Sequence, residues 1–204
     1  MVNADRTKRD VIVVGASAGG VEALSVLFES LPPHCPAVFA VVLHRSPVYN
    51  VNLAKVLGRK SSLPLIEPAD GDPLKRGTIY LAPRDRHMML TPDRIHLSRG
   101  PKEHFTRPAV DPLFHSAARV YGPRVVAVLL TGGGDDGVSG LIAVKGRSGL
   151  IVVQDPHEAK IPSMPLNAVL HDHVDLVLSL ARIPPVLAAL AQGNLVEPQL
   201  DAAM

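Results

Sequence analysis

The stretch "VIVVGASAGGVEAL", residues 11–24, decides how the rest of the chain is read. Four β-branched residues run into Gly15, a serine stands between small residues, and a pair of glycines opens a segment with helical spacing. That order is a strand, a tight turn and a helix, the opening unit of a parallel α/β sheet. The turn fits a phosphate cradle poorly. A G-x-G-x-x-G fingerprint needs glycine where Ser17 stands, so that backbone can approach a pyrophosphate, and no Gly-Lys-Ser/Thr follows as in a P-loop. It fits G-x-S-x-G better, the pattern that exposes a serine on a sharp strand-to-helix turn. By itself it also fits a serine that only caps the helix.

Outward from this unit the alternation continues. Strands are predicted at 37–43, 125–130, 150–154 and 174–178, with helices at 20–30, 51–59, 138–146, 165–171 and 185–191. The strands are near-continuous Val, Ile and Leu, as expected when helices cover both faces of a sheet. The expected fold is therefore a doubly wound, mostly parallel α/β sheet. In the middle, "GTIYLAP" and "HMMLTPDRIHLS" read as an antiparallel hairpin excursion, with Pro92 and Asp93 supplying the turn. The polar stretch 98–110 is long for a simple connector. "DPLFHSAARVYG" then predicts a helix capped by Asp111, with Pro112 at its first position and Gly122 at its end. The last dozen residues lack periodicity and read as a loose tail, so one domain with a core near 10–190 is expected.

Composition narrows the function. The chain has 204 residues, with 21 basic and 19 acidic residues spread evenly and 3% aromatic content. That leaves neither a basic footprint nor stacking platforms for nucleic acid. The apolar runs are of strand length, far below the roughly 20 residues that span a bilayer, and no signal-peptide core is present. The lone Cys35 has no internal partner, which fits a reducing cytoplasm. "HDH" at 171–173 and "DPHEA" at 155–159 lack the spacing of a zinc site, so neither a metal nor a cofactor is expected.

In an open parallel sheet, reacting groups gather beyond the carboxyl ends of the strands. Three such ends carry Ser17, then His44 in "VVLHRSP", then Asp135 and Asp136 in "TGGGDDG". A serine hydroxyl becomes a nucleophile when a histidine takes its proton and a carboxylate steadies the resulting imidazolium. Taken singly, His44 also fits a satisfied polar residue, and Asp136 a cap on the helix that follows.

Together these motifs resemble the catalytic domain of the chemotaxis protein-glutamate methylesterase/protein-glutamine glutaminase (CheB-type) family. "YLAP" with "HMML", "RPAVDPLFHSAA" and "SMPLNAV" extend the resemblance over roughly residues 10–190. It implies Ser17 as nucleophile, His44 as general base and acid, and Asp136 as the orienting carboxylate. It further implies Gly133 and Ala18 at the oxyanion and substrate site, with Arg107 and Met164 nearby. Arg107 would then face acidic groups beside the reacting glutamate, whereas an unbranched Met164 also fits as core filler. The implied reaction hydrolyses a glutamyl methyl ester of a methyl-accepting chemoreceptor-type protein, releasing methanol through an acyl-enzyme, and deamidates glutamine by the same route. The alternative is an idle or altered adaptor module of a sensory pathway.

Family members often carry an N-terminal receiver domain, and only ten residues precede the first strand here. A stand-alone catalytic domain, regulated by a separate receiver or regulatory protein or not at all, is expected. Leu43, Arg45, Ser46, Gly133 and Asp135 differ from residues common in the family. They leave the reacting groups intact and bear on substrate preference.

Overall fold

The structure is a computed structural model that describes residues 8–45, 52–171 and 174–194. Along the chain run β1 (Val11–Ala16), α1 (Gly20–Glu29), β2 (Val38–Leu43), α2 (Leu53–Gly58), β3 (Leu65–Ile66) and β4 (Thr78–Leu81). Next come β5 (His87–Thr91), β6 (Arg94–Ser98), α3 (Val110–Tyr121), β7 (Val125–Leu129) and α4 (Val138–Gly146). β8 (Leu150–Gln154), α5 (Ser163–His171), β9 (Leu176–Leu178) and α6 (Ile183–Ala191) complete it. Seven strands form one sheet in the order β3-β4-β2-β1-β7-β8-β9. Every pairing within it is parallel.

Alternate residues of each strand serve opposite layers. Ile12, Val14 and Ala16 of β1 pack with Leu24, Leu27 and Phe28 of α1 and with Ile183 and Leu187 of α6. Val11 and Val13 join Val110, Leu113 and Phe114 of α3, Leu141 of α4, and Met88 and Leu90 of β5. Because both faces are covered, an unbroken apolar run was the right strand signal here. Among the described residues no helix is long and apolar enough to cross a membrane.

Two local expectations change. β5 and β6 pair antiparallel as expected, with Thr91 opposite Arg94 and Asp93 taking a positive φ of 57° in the turn. "TIYL", however, is not part of that hairpin; it is β4, parallel to β2 and buried along its whole length. The continuous burial explains its lack of alternation. The helix expected to be capped by Asp111 is instead capped at Ala109, placing Pro112 at its third position, while Gly122 does end it. The start of the helix expected at 51–59 and most of the expected tail lie outside the described residues.

Gly15 sits where β1 meets α3. A Cβ there would stand 2.6 Å from Val110 Cγ1 and 3.0 Å from Leu129 Cδ1. Both neighbours are fully buried. Gly15→Ala is therefore expected to lower unfolding free energy by about 1–3 kcal/mol, the usual cost of overpacking, as measured by urea denaturation.

Candidate active site

β1, β2 and β7 are adjacent at the centre of the sheet, so the loops after them meet over one edge. Backbone hydrogen bonds lock these loops together. His44 N donates to Ala16 O at 2.9 Å, and Ser17 N donates to Thr131 O at 3.0 Å. Buried Thr131 adds a third tie, since its hydroxyl contacts Ala18 O and Ile161 O and accepts from Ile161 N. Gly132 is required by close approach. A Cβ at that position would stand 2.8 Å from Ser17 Cβ and 2.6 Å from Met164 Sδ.

His44 Nε2 lies 2.6 Å from Asp136 Oδ2. The carboxylate is 2% exposed and is further fixed by the amides of Val110, at 2.7 Å, and Asp111, at 2.9 Å. Burial opposes its ionisation, but the hydrogen bonds from His44 and those two amides outweigh burial and hold its pKa below the ordinary value. An ionised Asp136 accepts hydrogen bonds and donates none, so in this contact His44 carries its proton on Nε2. The Nδ1 lone pair is then left as the basic position of the ring.

Asp136 was read from the sequence as a possible cap of its own helix; it caps a different one. Its partners are the first two amides of α3, while Asp111, the second residue of α3, accepts from Gly137 N at 3.1 Å and Gly140 N at 2.7 Å at the start of α4. Each helix thus lends a carboxylate to the other's N-terminus, where unpaired amides and the helix dipole favour negative charge. Gly140 permits this contact, because a Cβ there would lie 2.4 Å from Phe114 Cβ.

A second imidazole borders the pair. His104 Nε2 is 3.0 Å from Asp111 Oδ2, and its Nδ1 is 3.2 Å from Asp135 Oδ1. Burial works against its protonation, yet the carboxylates of Asp136, Asp111 and Asp135 raise its pKa. Burial likewise raises that of Asp111. Ligand-capable atoms of His104, Asp111 and Asp136 lie within 4.8 Å of one another. All three side chains already make hydrogen bonds: Asp136 with His44 and the Asp111 amide, and Asp111 with His104. Of the two histidine motifs weighed for metal, "DPHEA" carries an exposed His157 paired with its own Asp155, and residues 172 and 173 of "HDH" lie outside the described residues.

The remaining candidates divide. The Ser17 hydroxyl and the amides of Ala18 and Gly133 have no hydrogen-bond partner among the described residues. Arg107 is already committed: its guanidinium donates to Asp85 Oδ1 at 2.9 and 2.7 Å and to the carbonyls of Arg99 and Gly100. These contacts tie the 99–107 loop to Asp85. Met164 is 0% exposed and fills the space behind Gly132, so it supports the loop from the core. Ser46 lies outside the described residues. Asp111, Thr131 and Gly132 were not singled out as site residues from sequence. The small-residue run "TGGG" was the available signal for the last two.

Comparison with known proteins follows the same residues. The CheB methylesterase family model matches residues 12–187. Protein-glutamate methylesterase/protein-glutamine glutaminase 2 of Methanosarcina mazei is 39% identical over 183 residues, covering 86% of this chain and 50% of that protein. The protein of the same name from Anaeromyxobacter dehalogenans is 41% identical over 183 residues, covering 90% of this chain and 54% of its own length. The chain thus spans about half the length of these curated relatives. The crystal structure of the Thermotoga maritima CheB methylesterase catalytic domain superposes with a TM-score of 0.84 at 33% identity, covering 89% of this chain and 98% of that one. With the family match running from β1 into α6, the chain belongs to the CheB methylesterase family.

Proposed function

We propose that the protein is a serine hydrolase that demethylates glutamyl methyl esters on chemoreceptor-type signalling helices and deamidates glutamines there through the same intermediate. The observation that carries this reading is the bond of 2.6 Å between half-buried His44 and buried Asp136 on the loop edge that also holds Ser17. Ser17 Oγ attacks the γ-carbonyl carbon while His44 Nδ1 takes the hydroxyl proton, and Asp136 stabilises the imidazolium. The free amides of Ala18 and Gly133 receive the developing oxyanion, a contribution typically worth about 10²–10³ in rate per donor. Collapse breaks the ester C–O bond, and His44 returns its proton to the leaving methoxide, giving methanol. Water then hydrolyses the acyl-enzyme with His44 again as base, regenerating Ser17 and freeing the glutamate. For a glutamine the leaving group is ammonia. The reading places this chemistry in the cytoplasm, where the buried Cys35 thiol, its pKa pushed up by burial, stays reduced and inert.

A fluorophosphonate probe tests the nucleophile and methanol release tests the substrate. The probe is expected to label Ser17 in the wild-type protein and to fail in His44→Ala, and methylated receptor helices are expected to release methanol. A wild-type protein that neither labels nor releases methanol would instead be the adaptor module.

A further inference from the structure

Beside His44, on the side away from Asp136, a pocket of about 520 Å³ opens over the carboxyl ends of β2, β4 and β3. Arg45, Glu67 and Arg84 give it charge, Asn52 adds an amide, and Ile66 and Pro83 give it apolar wall. Arg45 is nearly buried, with a side chain 10% exposed. Its Nη1 donates to Glu67 Oε1 and its Nη2 to Ala82 O, each at 2.8 Å, while its Nε has no partner. Arg84 is half-buried and makes no hydrogen bond or ion pair among the described residues. Two guanidiniums against one carboxylate leave the pocket a net positive charge. A half-buried cation without a counterion is costly to keep unless something arrives to pair with it.

Building on the function proposed above, we infer that this pocket receives a carboxylate side chain of the same protein segment that carries the glutamyl ester. Arg84 supplies the fork for the carboxylate, Arg45 is the fixed positive charge behind it, and the apolar wall accepts the acid's methylenes. β4 is two strands from β1 in the sheet. At about 4.8 Å per strand the pocket stands roughly 10 Å along the edge from Ser17. A substrate helix rises about 5.4 Å per turn, so the recognised acid lies one to two turns, about four or seven residues, from the ester. Arg107, the guanidinium first assigned this task, is occupied by Asp85.

The test uses helical peptides with one γ-methyl glutamate and either Glu or Gln four and seven residues to each side. The wild-type protein is expected to show a KM about tenfold lower for the acidic peptide, a preference that salt weakens. Arg84→Gln should erase that preference by raising KM for the acidic peptide alone, with kcat little changed, and Arg84→Lys should restore part of it. Arg84 makes no hydrogen bond or ion pair among the described residues, so an unchanged unfolding midpoint is expected for both variants. Equal KM values for the two peptides in the wild type, or an equal rise for both in Arg84→Gln, would overturn the pocket assignment and leave the esterase reading standing. Hydrolysis of neither peptide by a wild-type protein that the fluorophosphonate labels would overturn both.

Discussion

Ser17→Ala is expected to lower glutamyl methyl ester hydrolysis by about 10⁶-fold, the order seen when a triad serine is removed, while leaving the unfolding midpoint nearly unchanged. The two halves of this result have separate causes. On the proposed mechanism Oγ is the atom that forms the acyl-enzyme, so its removal takes away the nucleophile. The fold, by contrast, uses only the backbone of this residue: its N–H goes to Thr131 and its carbonyl accepts from Gly20. The hydroxyl has no partner among the described residues, so alanine leaves no buried group unpaired. The measurement is methanol release paired with thermal unfolding. Activity within tenfold of wild type would remove Ser17 from the reaction.

Asp136→Asn is expected to lower both turnover and stability, which distinguishes it from the serine variant. An amide can donate to His44, so the ring settles in the wrong tautomer, a change that costs about 10⁴ in kcat where a triad aspartate has been replaced in this way. The amide also has only one oxygen for the two α3 N–H groups now served by two. One buried donor is left unpaired, at about 1–3 kcal/mol. The stability loss should depend on pH with a definite sign. The Asp136 carboxyl titrates below its ordinary value in the folded protein. Its contribution is therefore complete above the ordinary carboxylate range and disappears as pH falls through the lowered value. Urea unfolding at neutral and acid pH should show the gap between wild type and Asp136→Asn closing in acid. A gap that stays constant would mean that the charge of Asp136 does not stabilise the fold.

The parts of this molecule that could be read from sequence are those written in local pattern. The strand–turn–helix at 11–24 and the hydrophobic runs that became β2, β7 and β8 carry their periodicity within a few residues. Knowing that such strands are parallel is enough to bring the loops after β1, β2 and β7 to one edge. What could not be read was which group each side chain would reach. Asp111 stands at a position that suits a cap of its own helix, and nothing local says that its carboxylate turns to Gly137 and Gly140 instead. The exchange with Asp136 depends on how α3 and α4 pack, through Gly140 against Phe114. Arg107 and Arg84 illustrate the same point with opposite outcomes. Both are arginines in loops beyond the sheet, yet Arg107 is held by Asp85 and by the carbonyls of Arg99 and Gly100, while Arg84 has no hydrogen bond or ion pair among the described residues. β3 was missed for a different reason: two residues are too short to show any period.

The shortness of the outer strands has a further consequence. A long, flat edge strand offers its unpaired N–H and C=O groups as a template for another chain. Here the margins of the sheet are the two residues of β3 and the three of β9, so an incoming strand finds little ladder to join. The long strands of this sheet, rich in valine and prone by composition to self-association, are interior and paired on both sides. The same layout that brings the loops after β1, β2 and β7 together at mid-sheet keeps these valine-rich strands out of reach of their counterparts in other copies.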